Sequence, residues 1–284
     1  MPQATIDGIE IQYVVEGSGP PLIMLSPGGF DSNIDGWSSR GVWKDLRPLS
    51  TLKNDFTMIA YDRREAGRSG GRVEPHNWRM WAAEAVGLLD HLKIERAWVI
   101  GGCMGASVAL AMGAYFPQRC SGLLCHWPVG GYRWCAKSRS FFDRHIAFAR
   151  ANGLQAVAER AKKATGFWAD PESGPWAAVF SHDAAFAANY VKQDLEQYLA
   201  ICAHSRDTLF NDTMPSGATA EQMLAIKVPT FVMTGDDPSH ATSAAHAVRE
   251  LVPGSVLSPL MPPQQNAASV TAWIRESVAS VKGK

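Results

Sequence analysis

The segment VIGGCMGASVAL, residues 99–110, sets a nucleophilic side chain in a constrained setting. Apolar Ala97 to Ile100 run into Gly101-Gly102-Cys103-Met104-Gly105, and an alanine-rich helical pattern follows. One non-glycine residue hemmed in by small residues at a strand-to-helix turn has the form of a nucleophile elbow. A side chain at Gly101 or Gly105 would collide in so tight a turn. The chemistry this offers is attack on a carbonyl carbon. A thiol of pKa ~8.5 holds a few per cent thiolate at pH 7 and is intrinsically nucleophilic, and a helix N-terminus favours its charged form. The remaining cysteines, at 120, 125, 135 and 202, make no CxxC pair and no metal-type cluster with histidine, and read as small buried hydrophobes.

The elements around this turn call for a parallel sheet. Residues 4–15 alternate and meet GSGPP, a hairpin turn into the apolar strand PLIML and the glycines of SPGGF. FTMIAY is a second buried strand, followed by the charged loop DRREAGRSGG. Trp78 to Leu92 has helical spacing, AWVIGG leads into the elbow, and SGLLCHWP is the next strand. Strands apolar enough to be buried on both faces and separated by helices form a sheet covered on two sides. From about residue 130 to 226 there is no convincing strand, only helix-period segments such as FFDRHIAFARA, LQAVAERAKKA and VKQDLEQYLAICAHSRDTL. Strand and helix then alternate again from VPTFVM to the C-terminal NAASVTAWIRESVASV. The expected organisation is a core of residues 1–129 and 227–284 with a helical cap at 130–226. Trp127, Trp134, Trp168, Trp176, Phe167 and Phe180 fall in or beside that cap and favour an apolar or aromatic substrate.

Lys and Arg number 27 against 27 Asp and Glu, which leaves no formal charge to draw nucleic acid or a membrane surface. No apolar run approaches the ~20 residues of a membrane span, and the N-terminus lacks the regions of a secretory signal, so a cytoplasmic location is expected. No phosphate-cradling loop, HExxH or zinc spacing occurs, so no metal and no organic cofactor is expected.

In this order and spacing, SPGGF at 26–30, YDRREAGRSG at 61–70, the elbow at 101–105 and VPTFVMTGDDP at 228–238 resemble the α/β-hydrolase fold family. GGCMGA is also similar to the cysteine elbow of dienelactone hydrolases, which use a Cys-His-Asp triad. The resemblance implies an α/β-hydrolase fold, a mostly parallel doubly wound sheet with a helical cap insertion. It implies Cys103 as nucleophile and an oxyanion hole made by the amide of Met104 and one from the glycine loop, Gly29 or Phe30. The acid is expected after the strand TFVMTG, at Asp237 in preference to Asp236, while Asp62 reads as a pin for its own loop. Helical caps of this kind often pair through exposed apolar helices, which would suit a homodimer.

The base departs from the family pattern. The histidine should follow the last strand, where this chain reads SPLMPPQQNAAS, and no histidine follows His246. Gln264, Gln265 and Asn266 cannot accept and return a proton near neutral pH. Two other histidines are candidates: His126, at the end of the strand beside the elbow strand, and His240, just after the acid in DDPSH. The expected activity is cysteine-dependent attack on a small apolar ester, thioester or lactone through an acyl-thioester intermediate. The alternatives are a lyase, decarboxylase or cyclase on the same scaffold, for which loss of a water-activating histidine would be an advantage, and a ligand-binding protein without turnover.

Overall fold

A computed structural model describes residues 1–211 and 214–282. Eight strands, β1 (Gln3–Ile6), β2 (Ile9–Gly17), β3 (Pro21–Leu25), β4 (Thr57–Tyr61), β5 (Ala97–Gly102), β6 (Cys120–His126), β7 (Thr230–Met233) and β8 (Val256–Leu257), form one sheet. The order is β1-β2-β4-β3-β5-β6-β7-β8; β1 and β2 run antiparallel and the rest are parallel. The elbow strand β5 is therefore interior, with Gly101 registered between Leu25 of β3 and Cys125 of β6.

Three short helices, α1 (Gly36–Ser39), α2 (Gly41–Leu46) and α3 (Pro48–Thr51), fill the β3–β4 connection. They are followed by α4 (Trp78–His91) and α5 (Met104–Tyr115) between the central strands. Side-chain alternation splits the core in two: Ile23 and Leu25 face α4 and α5, while Leu22 and Met24 face Trp37, Trp43 and the C-terminal α11 (Ala267–Lys282). This burial on both faces is why the strands read as continuous apolar runs.

Between β6 and β7 the described residues hold helices and no sheet strand: α6 (Tyr132–Ala161), α7 (Ala184–Tyr190), α8 (Leu195–Leu209) and α9 (Ala220–Leu224). The periodic segment FFDRHIAFARA and most of LQAVAERAKKA, up to Ala161, belong to α6, which breaks at Gly153, where φ is 78°. The short α9 lies against α5 and against α10 (Thr242–Leu251), so the layer over the C-terminal end of β5 comes from the helices before it. Among the described residues no helix is long and apolar enough to cross a membrane.

Candidate active site

Cys103 caps α5 with φ 56° and ψ −126°, a conformation rarely adopted outside glycine that costs on the order of 1–3 kcal/mol. The packing around it enforces this. A Cβ on Gly101 would stand 2.1 Å from the Gly105 carbonyl oxygen, and one on Gly105 would stand 2.0 Å from the Leu25 carbonyl oxygen. The helix can thus begin directly against the sheet and raise the sulfur clear of it. The Cys103 amide donates to the His126 carbonyl across β6 at 3.0 Å, which fixes the turn.

The candidate acid and base arise from one four-residue turn. Asp237 Oδ1 accepts the amides of Ser239 at 2.7 Å and His240 at 3.0 Å, while Oδ2 meets His240 Nδ1 at 2.7 Å. This is an Asx-type turn, which the Asp-Pro-Ser-His order favours. A bridge from His240 to Gly130 ties the turn to the start of the helical layer. With Nδ1 engaged, the imidazole presents Nε2, which is buried without a nitrogen or oxygen partner, to the Cys103 thiol. Asp236 lies exposed beside this turn, outside the contact.

The two groups shift each other. Burial disfavours charge on Cys103, yet the charge and hydrogen bond of His240 and the amides of Met104 and Gly28 outweigh it, so the thiol lies below its ordinary range. Burial likewise opposes the imidazolium, and the facing thiolate and Asp237 overcome it, raising His240 to about 9. Asp237, also opposed by burial, is held below the usual carboxylate range by His240. Both shifts favour a thiolate–imidazolium pair, braced by a carboxylate, over the neutral thiol and imidazole.

His126 occupies different surroundings. Its ring stacks on Trp127 at 5.5 Å between centroids and meets Trp43 edge-on at 4.8 Å. Burial, reinforced by the charge of His240, pushes it down to about 3, so it is a neutral packing group.

In the glycine loop, the amide that bears on the sulfur together with Met104 is that of Gly28, one residue before the pair expected from sequence. Gly29 is held by its carbonyl, which accepts from Arg63, and Phe30 is buried among His76, Trp81, Phe142 and Phe167. Trp168 Nε1 donates to the Gly28 carbonyl at 2.7 Å, tying the loop to the helical layer. A side chain on Gly29 would meet Met104 Sδ at 2.4 Å, which explains the glycine. Asp62 pins the neighbouring segment by accepting the amides of Ile34 and Arg68 at 2.7 and 2.9 Å.

Gln265, standing where the family's histidine was expected, works as a fastener. Its Nε2 donates to the carbonyls of Thr234 at 2.8 Å and Leu260 at 2.9 Å, and its Oε1 accepts from Trp127 Nε1 at 2.5 Å. Trp127, itself at φ 53°, lies over His240 with centroids 5.3 Å apart. The amide therefore joins the loops after β6, β7 and β8, and braces the wall behind the imidazole.

A cavity of about 190 Å³ opens onto Cys103 and His240, walled by Trp134, Lys137, Phe141 and Trp168. Of the aromatics singled out from sequence, Trp134 and Trp168 line it, whereas Phe167, Trp176 and Phe180 pack within the core. Sequence reasoning missed Lys137, Ser138, Phe141 and Ser239; the 134, 137, 138, 141 spacing of one helix face was the available signal for three of them. A larger hollow of about 830 Å³ lies between the start of β7, β8 and α11 and contains none of the reactive groups.

Known proteins match parts of this chain in sequence and all of it in fold. The soluble epoxide hydrolase of Corynebacterium sp. (strain C12) is 35% identical over 108 residues, 38% of this chain and 34% of that protein. The 2-hydroxymuconate semialdehyde hydrolase of Pseudomonas sp. (strain CF600) is 31% identical over 113 residues, 39% of this chain and 38% of that protein. The chain thus matches less than half the length of these relatives. The solved enol-lactonase from Burkholderia xenovorans LB400 shares the fold with a TM-score of 0.61 at 19% identity, over 100% of both chains. A family model described as alpha/beta hydrolase fold matches residues 21–166, just over half of the 284 residues and the whole elbow, and the chain belongs to that family.

Proposed function

We propose that this protein is a cysteine-dependent hydrolase of small esters, thioesters or lactones, with Cys103 as nucleophile, His240 as acid and base, and Asp237 orienting the imidazole. The observation that carries this reading is the unpartnered Nε2 of His240 facing the thiol of a strained elbow while Nδ1 is held by Asp237. The thiolate attacks the carbonyl carbon, and the π electrons move to the oxygen, where the Gly28 and Met104 amides receive the charge. Such donors are typically worth ~2.7–4 kcal/mol of barrier each. Collapse breaks the bond to the leaving oxygen or sulfur, which takes the proton from Nε2; in a lactone the leaving alcohol stays attached. Neutral His240 then removes a proton from water as it attacks the thioester, and the second collapse expels the thiolate beside a regenerated imidazolium. The pull toward a non-hydrolytic reaction came from the Gln264-Gln265-Asn266 segment, and a base supplied from the acid loop removes it.

Two readouts on the wild type and Cys103→Ala test this. With an activated ester quenched in acid, mass spectrometry should find the acyl mass on the peptide carrying Cys103 and none in the variant. Iodoacetamide alkylation at Cys103 should already be fast below the ordinary thiol range, because the lowered pKa leaves thiolate at lower pH. A Cys103 that titrates like a free thiol, or ester turnover that survives Cys103→Ala, would sink the reading.

A further inference from the structure

The cavity wall facing the sulfur carries a charge that the reaction above does not use. Trp134, Lys137, Ser138 and Phe141 stand at i, i+3, i+4 and i+7 of α6, so one helix face delivers an indole, an ammonium, a hydroxyl and a phenyl ring to the same cavity. No aspartate or glutamate is among the described residues that line it. Nearby cations of the same helix are paired, Arg139 with Asp207 at 2.8 Å and Arg144 with Glu172 at 3.8 Å. Lys137 has no carboxylate partner among the described residues; its ammonium lies 5.8 Å from the Phe141 ring centroid, a distance that steers the side chain along the aromatic wall.

The size of the space narrows what such a cation reads. An apolar cavity of about 150 Å³ accepts a benzene ring. At about 190 Å³ this one takes a ring or a chain of comparable bulk, and the polar end of that group then reaches the exposed ammonium. Cys103 and His240 share one proton and carry no net charge between them, and Asp237 sits behind the imidazole outside the cavity lining, so Lys137 is the charge that an acyl group in the cavity meets directly.

We propose that the acyl group transferred to Cys103 ends in a carboxylate and that Lys137 selects for it. This rests on the hydrolase reading above. Lys137 is a specificity residue, remote from the bonds that change. The test compares kcat/KM for two activated esters of equal chain length, 4-nitrophenyl hexanoate and mono-4-nitrophenyl adipate, on the wild type, Lys137→Met and Lys137→Arg. The adipate should be favoured about tenfold by the wild type, in the range of a charge-assisted hydrogen bond discounted for exposure. Lys137→Met should bring the adipate-to-hexanoate ratio to about one, Lys137→Arg should restore most of it, and added salt should erode it. Turnover of hexanoate with acyl-Cys103 present and no adipate preference, or a preference that persists in Lys137→Met, overturns the role of Lys137 alone. Absence of an acyl adduct from either ester overturns the hydrolase reading and this inference with it.

Discussion

His240 and His126 pack against the same indole, that of Trp127, yet their imidazoles are held in opposite charge states, about 9 for one and about 3 for the other. Both are opposed by burial. The difference lies in surroundings: His240 has a carboxylate on Nδ1 and faces the Cys103 thiol, whereas His126 lies between two indoles. Proximity to the elbow therefore does not make a base. The charge facing each nitrogen does, and an aromatic slot turns the same side chain into a neutral packing unit.

The sharpest way to break this contrast is to remove each ring in turn. His240→Ala should lower kcat/KM by about 10²–10⁴, the usual worth of a positioned acid and base, and move Cys103 alkylation to higher pH, because burial then acts on the thiol with less opposition. His126→Ala should leave the alkylation midpoint in place. Exchanged outcomes would make His126 the base and void the assignment.

An intermediate effect is expected at Gln265. Gln265→Ala removes the acceptor of the Trp127 indole and two donors to backbone carbonyls, which should lower unfolding free energy by about 2–3 kcal/mol in a urea titration. The loss of the brace behind His240 should also reduce kcat by about tenfold, while acyl-Cys103 still forms. A variant of unchanged stability and activity would show that the loop junction holds without it.

The smallest effect should come from acid. For His126 the folded pKa lies below the unfolded value of 6.5, so its contribution to stability is present above 6.5 and is lost as pH falls toward about 3, when the unfolded chain binds the proton more readily. His126→Phe removes that loss and should lower the midpoint of acid unfolding by about half a pH unit. His145, buried in the helical layer and pushed down to about 4, has the same sign, so the variant should retain part of the acid sensitivity. No movement of the midpoint would mean that His126 is not held neutral in the folded state.

Much of this was legible in residues 99–110 and 228–240. The apolar run, the glycines and the small helix locate the elbow, because nothing else fits between Leu25 and the start of α5. The candidate acid and base were half legible: Asp-Pro-Ser-His at i to i+3 specifies the turn that joins Asp237 to Nδ1 of His240. The other half was not, because a local pattern says which nitrogen is occupied and says nothing of what the free one meets. Gln265 shows the converse case. Read as a residue type it is a lost base, and only its three partners, drawn from β6, β7 and β8 loops, reveal a structural role.

The sequence by itself determined the sheet, the strained turn and the candidate nucleophile, since strand apolarity, glycine spacing and the position of Cys103 are properties of contiguous segments. Tertiary structure decided the rest: that His240 and not His126 faces the sulfur, that the amide of Gly28 bears on that sulfur, and that Lys137 shares a wall with Trp134 and Phe141. These depend on how β5, the loop after β7 and α6 converge in space. Charge and hydrogen bonding act over a few ångströms between segments that are far apart along the chain, and no local periodicity encodes that distance.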